Sequence, residues 1–304
     1  MKIYNNIKIK KIHKNAVIAI GNFDGIHLGH QKVLKQAKQK AKKNNLLFGL
    51  VTFEPMPVMY FNKNVKSHRI NSLNQKKKQL KNYRLDFLII IKFKKSFSKM
   101  SAEYFIKKII YDKIKAKYIY VSKNFRFGKK RQGNINTLKR FENTYKYQTI
   151  ITTPLKKSHK IISSSLIRKK ISSGKISETN KLLNRKWSVQ GKVIRGQKRG
   201  RKIGFPTCNI KMNNYVVPKL GVYSVLVKNK YFNKRGIANI GYRPTFNGQK
   251  LLLEVNIFGI DQNLYNKEIS IYFLKFIRSE KKFKSIIHLK KQIEIDIIHA
   301  KKNV

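Results

Sequence analysis

Through the first half of the chain, short apolar runs alternate with longer stretches in which hydrophobic positions recur every three or four residues. The runs are residues 16–20, 46–53, 87–91, 118–121 and 148–152, each short and β-rich enough for a strand. Between the first two, Val33, Leu34, Ala37 and Ala41 share one face of a 3.6-residue period, which predicts an amphipathic helix. Ser101 suits the N-cap of another helix, with Glu103 in its first turn. Strands alternating with helices predict a parallel sheet covered on both faces, with ligands at the carboxyl ends of the strands.

From Trp187 onward the pattern changes. Runs 187–194, 221–227, 236–240, 251–258 and 268–273 follow one another across turn residues, and Ile286, Leu289, Ile293 and Ile297 mark one face of a final helix. This predicts a small, mainly antiparallel barrel or sandwich closed by a helix. Two domains follow, 1–184 and 185–304, a division that suits a chain of 304 residues.

Composition changes the picture in one respect. The chain has 70 Lys and Arg against 13 Asp and Glu, a formal charge of +57. With 41% hydrophobic and 11% aromatic residues it is nevertheless no disordered polycation. Clustered cations would suggest a nucleic-acid partner. However, Lys, Asn, Ile, Tyr and Phe are all in excess, and their codons can be built from A and T alone. Drift in a genome rich in A and T produces this bias, and the even spread of lysines favours drift. Cys208 is the single cysteine, which excludes an internal disulfide and fits a reducing, cytoplasmic setting. No apolar run approaches the roughly 18 residues of a membrane span.

Against this background the glycines are informative. Of 16, eight lie in three segments: Gly21, Gly25 and Gly29; Gly128 and Gly133; and Gly196, Gly200 and Gly204. The segment AIGNFDGIHLGHQKVL places a strand, a glycine-rich turn and a helix start in succession, an anion-binding arrangement. His27 and His30 lie about one turn apart there, so both imidazoles can donate to one phosphate. Ser164 and Ser165, at an expected helix start, with Arg168 one turn on, form a second anion site. In GQKRGRKIGFPTCNI, Thr207 and Asn209 point to the same side of an extended segment and offer hard oxygen ligands to Mg²⁺. Glu254, in LLLEVNIF, shares a strand face with Leu252 and Asn256, and a carboxylate beside Mg-ATP can serve as a base.

The HxGH pattern of His27, Gly29 and His30 resembles that of the nucleotidylyltransferase superfamily. The longer string GNFDGIHLGHQ, with VTFEPMP at 51–57, NFRFGKKRQG at 124–133 and SSSLIR at 163–168, resembles more narrowly the adenylyltransferase half of bifunctional riboflavin kinase/FMN adenylyltransferases. GFPTCN, LLLEV, ANIGYRPT at 238–245 and FIRSEKKF at 276–283 resemble the riboflavin kinase half. The resemblance implies a Rossmann-like α/β nucleotidylyltransferase domain followed by a β-barrel. It also implies phosphorylation of riboflavin to FMN, then adenylyl transfer from ATP to FMN giving FAD and pyrophosphate.

The resemblance assigns His27, His30, Asn124 and Arg168 to adenylyl-transfer chemistry, and Gly21, Asn22, Phe23, Asp24, Gly29, Ser164 and Ser165 to nucleotide binding. In the second half it implies Mg²⁺ and nucleotide contacts from Thr207 and Asn209, phosphate contacts from Gly196, Gly200 and Gly204, the base in Glu254, and Arg278 near the flavin or nucleotide. Riboflavin, FMN and ATP are then the partners, with Mg²⁺ as cofactor, no membrane, no specific nucleic acid, and room for weak self-association. The sequence departs from the family pattern at Met56, usually His, at Ser165, often Thr, at Cys208, usually Ala, and at Lys175, often Asp. Competing readings are a nucleic-acid-binding protein on a degenerate nucleotidylyltransferase fold, a nucleotidylyltransferase for another acceptor, and a riboflavin kinase with a decayed adenylyltransferase half.

Overall fold

The computed structural model describes the chain apart from residues 63, 64, 66, 67, 158, 159, 197, 198, 213, 214, 246, 247, 261, 303 and 304, with the side chains of 199, 243–245 and 248–250 also outside the description. The packing divides the chain into two compact units. The first comprises Met1–Lys66 and Leu73–Ser163, the second Ser67–Ser72 and Ser164–Val304.

The first unit is built on a six-stranded sheet. Its strands are β1 (Lys2–Tyr4), β2 (Val17–Ile20), β3 (Phe48–Glu54), β4 (Phe87–Lys92), β5 (Tyr118–Ser122) and β6 (Gln148–Thr152). Their order is β1-β4-β3-β2-β5-β6, and every pair is parallel. Alternation along the strands supplies two cores. Val17, Ala19, Leu50 and Leu88 pack on one face with Val33, Leu34, Ala37 and Ala41 of α1 (Leu28–Lys43), the stripe the periodicity predicts. Ile18, Ile20, Val51 and Ile89 pack on the other face with the helix Ala102–Phe105 and its π-wound continuation Ile106–Ile114. Ser101 caps that helix by accepting from Tyr104 N at 3.1 Å. The chain leaves β2 for β3 on one side and reaches β5 on the other. The gap between the ends of β2 and β5 is therefore the topological switch point, where open parallel sheets bind ligands. The short strand β1 at the edge has no counterpart in the hydrophobic pattern.

A small antiparallel pair, β7 (Lys156–Lys157) and β8 (Lys160–Ile161), follows. The second unit is a closed barrel of β9 (Ser188–Ile194), β10 (Cys208–Lys211), β11 (Gly221–Lys228), β12 (Asn233–Thr245), β13 (Gly248–Ile257) and β14 (Glu268–Arg278), in the order β10-β13-β12-β11-β14-β9. Val225, Val227, Ala238, Ile240, Leu253, Val255, Ile271 and Phe273 are buried. The helices Ser164–Ser172 and Ile176–Leu183 group with this barrel, whereas the sequence pattern sets the division at residue 185. The physical tie is Asn180, whose Nδ2 donates to Phe273 O at 2.9 Å and whose Oδ1 accepts from Trp187 N at 2.7 Å.

The final helix, Ile286–Lys302, docks differently from the expected stripe. Ile293 and Ile297 pack with Ala300 against Val222 and Ile237, but Ile286 is 62% exposed. The docked face also carries Asp296, which is buried and grips Arg278 with both carboxylate oxygens, Nε at 2.9 and 3.0 Å and Nη2 at 2.7 Å. A buried charge must keep its partner, so this pair ties the helix to β14.

Candidate active sites

In the first unit, Gly21 follows β2 directly and donates its N–H to Val51 O at 3.1 Å. The Asn22 carbonyl accepts from Thr52 Oγ1 at 3.1 Å and from Lys76 Nζ at 2.8 Å. Phe23 and Asp24 are buried, and the turn passes through Phe23 at φ +46, Gly25 at +82 and Ile26 at +39. His27 is then the N-cap of α1, and its Nδ1 accepts a long bond of 3.4 Å from His30 N. In a neutral imidazole this leaves the proton on Nε2, which makes that nitrogen a donor.

The two imidazoles stack, with centroids 3.8 Å apart and planes 21° from parallel, and Phe23 lies 4.9 Å from His30. Gly29 is required by close approach, since a Cβ there would lie 3.2 Å from the His27 ring and 3.3 Å from Ile162 O. The two stacked rings stand at the start of α1, where the helix adds its own partial positive charge. Asn124 sits two residues beyond β5, exposed, so His27, His30 and Asn124 all belong to the carboxyl ends of the two strands flanking the switch point.

At the same end of the sheet is a feature that single-residue reasoning missed. Phe53, Phe93 and Phe97 pack ring against ring with Tyr60 and Phe61, at centroid separations of 5.2 to 6.3 Å. Met56 is buried as the residue preceding the helix Pro57–Phe61. Phenylalanines are common in this chain, and only the fold gathers these.

In the second unit, Ser164 and Ser165 open the helix Ser164–Ser172, and Arg168 lies one turn on, its Nε donating to His68 O at 2.8 Å. The second glycine segment contains the short helix Arg199–Lys202, with Gly200 within it and Gly204 at φ +90 after it. Residues 197 and 198 of the segment lie outside the described residues.

Strand register assembles the rest. Asn209 of β10 lies opposite Glu254 of β13, and Glu254 lies opposite Asn239 of β12. Register partners share a face, so three polar side chains stand in a row across three strands, on the face opposite buried Leu253 and Val255. The row continues through Val222 of β11 to Arg278 of β14. Asn239 Nδ2 also donates to Glu280 Oε1 at 3.4 Å. Asn239 was not singled out in the sequence, although it lies in the ANIGYRPT segment; its alternation with the apolar Ala238 and Ile240 was the available signal.

Asn209 is buried, and its Oδ1 has no hydrogen-bond partner among the described residues. Gly196 closes over it, for a Cβ at Gly196 would overlap Asn209 Nδ2. A buried amide oxygen left for a ligand, two residues from the Thr207 hydroxyl, fits a hard cation that takes its remaining ligands from water and phosphate. A separate cavity of about 530 Å³ is lined by Val193, Arg201, Thr207, Cys208, Val255 and Tyr265, among others; Cys208 and Val255 are register partners on the strand face opposite Asn209 and Glu254. Burial pushes the Cys208 thiol up to about 12. The Cys208 Sγ lies 3.4 Å from Val255 O, so it acts as a small packed side chain.

Known proteins match both halves. The family model for FAD synthetase matches residues 9–166 and that for riboflavin kinase matches residues 183–304. A bifunctional riboflavin kinase/FMN adenylyltransferase of Buchnera aphidicola subsp. Schizaphis graminum is 42% identical over 99% of this chain and 98% of its own length. Proteins of the same description from Haemophilus influenzae and Escherichia coli K12 are 37% and 32% identical, over 96% and 95% of this chain and 95% and 92% of their own. A crystal structure of a Streptococcus pneumoniae chain, described as a macrolide-efflux protein, superimposes with a TM-score of 0.86 at 30% identity, covering 99% of this chain and 98% of that one. Among the described residues, no helix of this chain is long and apolar enough to cross a membrane. Matches to both halves do not favour a nucleic-acid-binding protein on a degenerate fold.

Proposed function

The chain belongs to the family of bifunctional riboflavin kinase/FMN adenylyltransferases, and from that premise we propose how its residues divide the two reactions. It phosphorylates riboflavin to FMN and transfers an adenylyl group to FMN, giving FAD. The observation that carries the division is that each separately packed unit contains its own phosphate-facing constellation.

In the barrel unit, the primary hydroxyl of the ribityl chain attacks the γ-phosphorus of ATP. An O–P bond forms, the bridge to the β-phosphate breaks, ADP leaves, and Glu254 accepts the hydroxyl proton. Asn239, in register with Glu254, orients the carboxylate. Thr207 and Asn209 would hold Mg²⁺, which neutralises phosphate charge when bound; the buried Oδ1 of Asn209 supports this. The nucleotide lies along the segment that carries Gly196, Gly200 and Gly204, whose backbone contacts its phosphates, with Arg201 beside them. Arg278, held by Asp296, borders the flavin.

In the parallel-sheet unit, the FMN phosphate is already an anion and attacks the α-phosphorus of ATP directly, expelling pyrophosphate. No protein base is needed, so the residues position groups and stabilise charge. His27 and His30 donate to the transferring phosphate, helped by the N-terminus of α1, while the turn through Gly21, Asn22, Phe23, Asp24 and Gly29 cradles the nucleotide. Asn124 contacts the substrate phosphates. The ring cluster around Phe93 offers an apolar wall for the isoalloxazine. Ser164, Ser165 and Arg168, which group with the barrel, form an anion site of their own at the start of the helix Ser164–Ser172. The chain works in the cytoplasm, and the +57 charge serves only as a general attraction for anionic substrates.

Purified protein incubated with riboflavin, ATP and Mg²⁺ should yield FMN and then FAD on chromatographic separation. Supplied FMN should yield FAD alone. Chelation of Mg²⁺ should stop riboflavin phosphorylation. A folded, ATP-binding sample that forms neither flavin overturns the reading; FMN without FAD would mean that the adenylyltransferase half has decayed.

A further inference from the structure

Lys76 has no role in the chemistry described so far. The chain has 70 lysines and arginines, yet this one, in the helix Leu73–Lys81, is only 1% exposed. An ammonium forfeits its hydration on burial, and an apolar side chain of similar length would fill the same space without that loss. Its Nζ donates to Asn22 O at 2.8 Å, and Thr52 Oγ1, on a fully buried residue, donates to the same oxygen at 3.1 Å.

Two donors on one carbonyl fix that peptide plane. Because a trans peptide points its N–H opposite its C=O, the Phe23 N–H is turned away from Lys76. The residues that follow hold positive φ values at Phe23, Gly25 and Ile26, a path that persists only where the surroundings over-determine it. That path ends at His27, the cap of α1.

We propose that Lys76 is a positioning residue for adenylyl transfer: its buried ammonium, with the Thr52 hydroxyl, clamps the Asn22 carbonyl and holds the turn of residues 21–30 in the shape that presents its N–H groups and both imidazoles to the transferring phosphate. This rests on the assignment of adenylyl transfer to that turn. A cation fixed behind the loop also keeps its field on the site, whereas a surface lysine loses it to screening.

The two activities of the full chain make the test internal. Lys76→Met and Thr52→Val are each assayed for FAD formation from supplied FMN and ATP, and in the same sample for riboflavin phosphorylation. Lys76→Met should lower kcat for FAD formation about 100-fold, and Thr52→Val about 10-fold, with KM for FMN and riboflavin phosphorylation held within about twofold. Lys76→Arg, which keeps a buried donor, should recover part of the loss.

Unchanged kcat for FAD formation in Lys76→Met overturns the inference. Parallel loss of both activities in that variant also overturns it, since the lysine would then support folding generally. Thr52→Val keeps its shape, and normal FAD kinetics in it overturn the inference as well. Failure of the unaltered chain to form FAD would instead overturn the assignment of the turn itself.

Discussion

The two proposed phosphate sites are made in opposite ways. In the parallel-sheet unit, the turn and the helix start belong to one short stretch, so chain geometry brings His27, Gly29 and His30 together almost without help. In the barrel unit, Asn209, Glu254 and Asn239 come from separate strands and meet only because antiparallel register sets them side by side. The first site is a backbone device, positioned by glycines and by pinned carbonyls. The second is a side-chain row, positioned by hydrogen-bond pairing, and one residue of slip would send all three to the other face.

This contrast can be broken by substitution. The largest effect is expected at Glu254→Gln, which keeps shape but removes the base. FMN formation should fall about 1,000-fold, with FAD formation from supplied FMN unchanged. His30→Ala removes a donor, not a base, and should lower FAD formation about 100-fold while leaving riboflavin phosphorylation intact. Loss of both activities in either variant would end the two-site division.

Asp296→Asn tests how the barrel site is supported. It leaves the Arg278 side chain, only 16% exposed, without its bidentate partner, and should destabilise the barrel by about 3 kcal/mol in urea unfolding. FMN formation should suffer more than FAD formation. The smallest effect is expected at Cys208. With its thiol pushed up to about 12 by burial, it stays protonated near neutral pH, and the thiolate is the reactive form. Iodoacetamide should therefore label Cys208 at mildly alkaline pH only after denaturation, and Cys208→Ala should leave both activities within about twofold. Rapid labelling of the native protein would show that the cavity beside Thr207 is more open than its packing implies.

Much of this was legible before the fold was known, for identifiable reasons. Strands β2 to β5 are near-continuous apolar runs because both faces of a parallel sheet are covered. The α1 stripe is legible because one face of a helix repeats. The strand β1 escaped notice because three residues at an edge carry too little pattern. Residues 208–211 were read as extended but not as a barrel strand. The phase of the final helix was legible, since Ile293 and Ile297 of its stripe dock, but no apolar pattern marks Asp296, the buried carboxylate on that face.

The amino-acid sequence by itself determined the two-part organisation and the glycine-rich strand, turn and helix start, and it singled out Glu254, Thr207 and Asn209 as candidates, since each stands out against a composition poor in glycine and carboxylate. Only the tertiary structure decided that Asn239 flanks Glu254, that Phe53, Phe93 and Phe97 form one wall, and that one lysine of a very basic chain is buried behind the catalytic turn. Those facts depend on which strands pair and which helix covers which loop. Such relations join residues remote in sequence, and no local periodicity encodes them.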